Sequence, residues 1–145
     1  MIIFTIGFTK SKARDFFERI RKANPDIIID VRRNNSSQLA GFAKGDDLLY
    51  FAKEICNCGY KHDTMFAPSE ELLDGYKHKK LTWAEYIVEY ERQMEKKDIT
   101  NYFKRNFSKY NSVCLLCSEN TPEQCHRRLL AQKISKENGG EIVHL

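Results

Sequence analysis

The sequence predicts an α/β fold: a three-layer sandwich around a mainly parallel sheet of about five strands, with a helical insertion after the third strand. Three observations lead there. Short apolar runs alternate with segments whose apolar residues recur at helical spacing. Two of the runs, Ile27-Ile-Ile-Asp-Val31 and Val113-Cys-Leu-Leu-Cys117, are apolar at successive positions. Such runs suit parallel strands covered by helices on both faces. The length, 145 residues, is that of one core, so a single α/β domain over residues 1–145 is expected.

In chain order, Ile2-Ile-Phe-Thr-Ile6 is a β-branched strand that stops at Gly7. Phe16, Phe17, Ile20 and Ala23 mark the apolar side of a helix, which Asn24-Pro25 ends. The second strand, Ile27–Val31, is followed by a long polar loop from Arg32 to Gly45. Loops of that length inside compact domains are often functional. Asp46 or Asp47 is placed to cap a helix carrying Leu48, Leu49, Phe51, Ala52 and Ile55, closed by Cys58-Gly59. Tyr60–Phe66 alternates like a short third strand. The insertion then opens at Pro68-Ser69 with Leu72, Leu73 and Tyr76 as an apolar stripe. Thr82 caps a helix bearing Trp83, Tyr86, Ile87, Tyr90 and Met94, and Ile99, Tyr102, Phe103 and Phe107 form another. The aromatic set of these helices has the spacing of core packing rather than of a base-stacking surface. The strand Ser112–Cys117, a helix from Pro122 to about Asn138, a Gly139-Gly140 stop and a strand Glu141–Leu145 complete the chain.

Composition narrows the function. There is no run of about 18 apolar residues, so no membrane span is expected. The N-terminus lacks the basic start of a signal peptide, so a cytoplasmic location is expected. Five cysteines in such a chain, an odd count, argue for reduced thiols rather than a disulfide framework. The net charge of +4 permits a phosphate-bearing partner without demanding one. Lys77-His-Lys-Lys80, Arg32-Arg33 and Arg127-Arg128 are its clusters.

Reactive side chains concentrate between Val113 and Ala131. If the strands are parallel, the loops Gly7–Lys10, Asp30–Asn35 and Cys117–Arg127 meet at the carboxyl edge of the sheet, where open α/β sheets bind ligands. Thr121-Pro-Glu-Gln124 reads as a helix start with Thr121 as N-cap, whose free N–H groups favour an anion. The chemical candidates are Cys117, Glu119, Asp30 and His126. Cys117 and Cys125 are potential thiolates near a helix N-terminus. His126 shares a helix stripe with Leu130 and Ile134 and so points inwards, with Glu119 its nearest local partner. Candidate ligand contacts are Gly7, Thr9 and Lys10 after the first strand, and Arg32, Asn34, Asn35, Gln38 and Lys44 after the second. Cys125 and Arg127 join them, Arg127 as a bidentate anion clamp. Cys114-x-x-Cys117 with Cys125-His126 could supply three sulfurs and a nitrogen, but Cys114 and Cys117 lie three apart on a strand and face opposite sides, so no metal site is expected. No cofactor is expected.

The segments Thr5-Ile-Gly7, Asp30-Val-Arg32, Leu115-Leu-Cys-Ser-Glu119 with Cys125-His-Arg127, and Val143-His144 resemble the family called domain of unknown function 488. Thr5-Ile-Gly-Phe-Thr-Lys10 and Ser37-Gln-Leu-Ala-Gly-Phe-Ala-Lys44 resemble one branch of it. Many relatives carry His-Ser where Phe8-Thr9 stands here. The resemblance covers essentially the whole chain. It implies an α/β sandwich and no particular reaction.

The expectation is therefore an enzyme or ligand-binding domain with its pocket at the carboxyl edge, acting on a phosphate-bearing small molecule or nucleic acid. One alternative is a non-catalytic module that binds nucleic acid or protein. Another is thiol or sulfur-transfer chemistry, since Asp30-Val-Arg32 after a second strand is similar to rhodanese-like domains. A purely structural role, with Glu119 and Arg127 as a buried ion pair, is a third.

Overall fold

The computed structural model describes residues 1–36 and 40–145. It contains five strands, β1 (Ile2–Gly7), β2 (Ile27–Asp30), β3 (Gly59–His62), β4 (Ser112–Cys117) and β5 (Glu141–His144). The helices are α1 (Ala13–Ala23), α2 (Gly45–Cys56), α3 (Glu70–Lys77), α4 (Trp83–Lys96), α5 (Ile99–Phe107) and α6 (His126–Asn138). The strands form one sheet in the order β3-β2-β4-β1-β5, and every pairing is parallel.

The alternation of strand side chains sorts the core into two layers. Val113, Leu115 and Cys117 of β4 face α3, α4, α5 and α6. Cys114 and Leu116 face α1 and α2. The insertion after β3 is thus α3, α4 and α5, all on one side. The fold is the three-layer α/β sandwich that the alternating pattern predicts. No helix of the described residues is long and apolar enough to cross a membrane.

Local chemistry explains most element ends. The Ser69 hydroxyl caps α3 through the Leu72 N–H, and Thr82 with Glu85 forms a full capping box on α4. Asn24 and Asn57 close α1 and α2 in the left-handed conformation that asparagine tolerates. Two boundaries differ from expectation. The third strand stops at His62, because the Asp63 carboxylate accepts the Met65 N–H and turns residues Thr64–Phe66 into a 3-10 turn. The helix α2 has Lys44, not an aspartate, at its N-cap, and Asp46 and Asp47 lie in its first turn beside the positive end of the helix dipole.

Candidate active site

The parallel register sets the three predicted loops side by side. Gly7 pairs with Cys117, and Asp30 with Leu116. Connections after β1 and β2 run over one face, and those after β3 and β4 over the other. A cleft of about 600 Å³ opens at this carboxyl edge, a size suited to a small ligand. Its floor is Cys117, Ser118, Cys125 and His126, and Glu119 stands at its rim. Arg32, Arg33 and Asn34 form one wall, and Tyr76, Lys77, Trp83 and Tyr86 of the insertion form the other. A larger groove, about 1210 Å³, runs along α3 and α4, but no cysteine or histidine lines it. The smaller cleft is the one lined by cysteines and a histidine.

The helix α6 starts later than its capping sequence suggests. Cys125, in extended conformation, is the N-cap, and the Cys125 N–H bonds to the Pro122 carbonyl in a separate turn. Residues 118–124 are a loop, not a first helical turn. Arg127 accounts for this. Its guanidinium donates to the carbonyls of Glu119 (2.5 Å) and Asn120 (3.5 Å). The loop carbonyls are satisfied by a side chain reaching back from α6, so the loop folds across the helix start. Arg127 is 1% exposed and does not line the cleft. It binds the chain itself, and its partner is the Glu119 backbone, while the Glu119 side chain is exposed. A buried Glu119–Arg127 ion pair is therefore not formed.

The same loop is fastened to β1. The Thr9 N–H and hydroxyl both donate to the Ser118 carbonyl. Gly7 lies directly under Glu119, where an added Cβ would overlap the Glu119 carbonyl. Gly7→Ala is therefore expected to lower stability by about 3 kcal/mol and to shift the Cys117 loop. Urea unfolding would measure it, and an alanine variant as stable as the parent would show that the loop does not rest on Gly7.

His126 turns inwards as its helix phase implies. Its partner is not Glu119: Nε2 donates to the Val31 carbonyl at 3.0 Å, and Tyr90 packs edge-on at 5.8 Å between ring centres. The Cys117 sulfur lies 3.7 Å from both ring nitrogens. The Cys117 thiol is held below its ordinary range, first by a hydrogen bond from Cys125, against the opposing effect of burial. The N–H groups of Ser118 and Glu119 and the charge of Arg127 act in the same direction. The Cys125 thiol is pushed well up by that same pairing and by burial. Cys114, on the far face of the sheet, is pushed up to about 12 by burial. Of the pair in the cleft, Cys117 is the more acidic thiol.

Asp30 is fully buried and outside the cleft lining. Its carboxylate takes Nε and Nη2 of Arg32 at 2.8 and 2.7 Å and the Tyr60 hydroxyl at 2.5 Å. It orients Arg32, which lines the cleft. Of the other candidates, Asn34 lines the cleft, Asn35 is spent on the Tyr60 hydroxyl, and Lys10 and Lys44 stand away from it. Gln38 lies outside the described residues. The sequence reading missed the wall of Tyr76, Trp83 and Tyr86. Trp83 and Tyr86 stack at 5.0 Å, and both helical spacing and core packing account for Tyr86. The available signal was the insertion itself, which begins beyond the carboxyl end of β3 and is bound to pass over that edge.

Residues 12–134 match the family described as domain of unknown function DUF488. The chain belongs to the DUF488 family. No curated protein and no solved structure matches it. The match runs from the start of α1 into α6, so every element that lines the cleft of this DUF488 chain lies within it.

Proposed function

We propose that this DUF488 chain is an enzyme that acts on a small phosphate-bearing substrate bound in the carboxyl-edge cleft. The observation that carries this reading is Arg32. The residue is 3% exposed, its Nε and Nη2 are spent on Asp30, and Nη2 also reaches the Ala43 carbonyl. Its Nη1 is buried and has no hydrogen-bond partner among the described residues. A desolvated guanidinium donor with no acceptor is costly. A ligand oxyanion that reaches Nη1 through a small shift of the lining side chains would satisfy it, with Arg33 and Lys77 adding charge at the wall. The aromatic wall suits the flat or apolar remainder of such a molecule, and the enclosed volume suits a nucleotide-sized ligand better than a duplex.

Trp83, the only tryptophan of the chain, lines this cleft, so its fluorescence reports on occupancy. Inorganic phosphate and nucleoside monophosphates are expected to change the emission saturably. Arg32→Lys keeps the charge but loses the planar fork, and is expected to weaken binding about tenfold or more. A folded Arg32→Lys protein that binds as the parent does, or no saturable response to any of these ligands, would sink the proposal.

A further inference from the structure

We propose that Cys117, Cys125 and His126 form a three-ligand site for Zn²⁺, or a chemically similar thiophilic divalent ion, with its fourth position open to the cleft. The two sulfurs and an imidazole nitrogen lie within 4.8 Å of one another, and all three residues are buried. Zinc bond lengths in a tetrahedron put two sulfurs roughly 3.8 Å apart, and a sulfur roughly 3.6 Å from a nitrogen. The distance from Cys117 to His126, 3.7 Å, already has that value. The widest separation in the set would need to close by only about 1 Å.

The histidine is prepared for this role. The Val31 carbonyl can only accept, so Nε2 carries the proton and Nδ1, whose one hydrogen-bond contact among the described residues is the Cys117 sulfur at 3.7 Å, keeps its lone pair. A ring whose far N–H is fixed on a backbone carbonyl is the usual second layer of a metal-bound imidazole. Charge balances as well. Two thiolates neutralise a divalent ion, and Arg127 Nη1, 3.5 Å from the Cys125 sulfur, donates to a thiolate there. Cys114 is no part of the site, because it faces the other layer of the core.

All three ligands line the cleft, so the remaining position faces the ligand space. Three protein ligands with one open position describe a catalytic rather than a structural zinc. Such an ion would polarise a bound oxygen or lower the pKa of a bound water. The inference goes beyond the phosphate reading and does not depend on it, since metal affinity is measurable with no substrate present.

The test takes the full chain, purified under reducing conditions without chelator, for elemental analysis. The chelated protein is then titrated with Co²⁺. Stoichiometric zinc is expected, and Co²⁺ should give sulfur-to-cobalt charge transfer with the intense visible bands of a tetrahedral site. Both signals should be lost in Cys117→Ser and Cys125→Ser. Both should survive in Cys56→Ser, whose thiol lies at the end of α2 in the other core layer. A folded parent protein that takes up neither ion, or bands that persist in Cys125→Ser, would overturn the site. Alkylation of Cys117 at the same rate before and after chelation would also overturn it, in favour of a free thiol nucleophile. The Trp83 response to phosphate is read separately, so failure of the metal site and failure of the phosphate reading give different results.

Discussion

Arg127→Ala is expected to lower the stability of the chain by about 3–5 kcal/mol. Arg127 is among the largest fully buried side chains. Removing it opens a cavity beneath the loop and strips the Glu119 and Asn120 carbonyls of their donor. Both bonds are part-buried, so each carbonyl left without its donor costs about 1 kcal/mol, and the volume lost with a buried side chain adds to that. Arg128→Ala is the control. Arg128 is adjacent and half-buried, and its side chain makes no hydrogen bond among the described residues, so its loss is expected to cost about 1 kcal/mol or less. Urea unfolding midpoints of the two variants would separate the cases. Equal losses would show that the carbonyl clamp contributes nothing. Arg127→Lys should recover only part of the difference, because an ammonium lacks the planar fork that spans two carbonyls.

Asp30→Ala ranks next, at about 3–5 kcal/mol. The carboxylate is the only acidic group paired with Arg32 among the described residues. Without it a guanidinium stays buried and uncompensated, and the Tyr60 hydroxyl loses its acceptor. Removing both charges should be milder than removing one. Asp30→Asn with Arg32→Met is therefore expected to be more stable than Asp30→Asn alone, with a coupling of about 2 kcal/mol between the two sites. Additive losses in that cycle would mean that Asp30 acts through something other than Arg32. Because Asp30 also fixes the direction of Arg32, the single variant should weaken phosphate binding even where the protein stays folded.

Much of this was legible in the residues. Continuous apolar runs at β2 and β4 specify strands buried on both faces, and parallel pairing then brings Gly7, Asp30 and Cys117 to one edge without knowledge of any contact. The helix phase of His126 correctly turns it inwards. What the residues hid depends on contacts far apart in sequence. Thr121-Pro-Glu-Gln124 has the local pattern of a helix start, yet Arg127 and Thr9 hold the preceding loop in another shape. A capping pattern is worth about 1 kcal/mol, too little to prevail over several tertiary bonds. Arg127 looked like an anion clamp because a guanidinium at a helix start has no visible partner in sequence; its partners are backbone carbonyls, which every residue has. The separation of Cys114 from Cys117 followed from strand alternation, whereas the approach of Cys117 to Cys125 and His126 required the true start of α6.

The strand β1 has a consequence for how the molecule is made. Its sheet neighbours are β4 and β5, both from the other end of the chain. The bond from Thr9 to Ser118 spans 109 positions. During synthesis at about 5–20 residues per second, the first strand therefore waits on the order of ten seconds before either neighbour exists. Its edges of Ile3, Phe4 and Ile6 are unpaired throughout that interval. The cleft thus forms only once β4 and the start of α6 have been made, and a nascent chain halted before β4 would leave both edges of β1 unpaired.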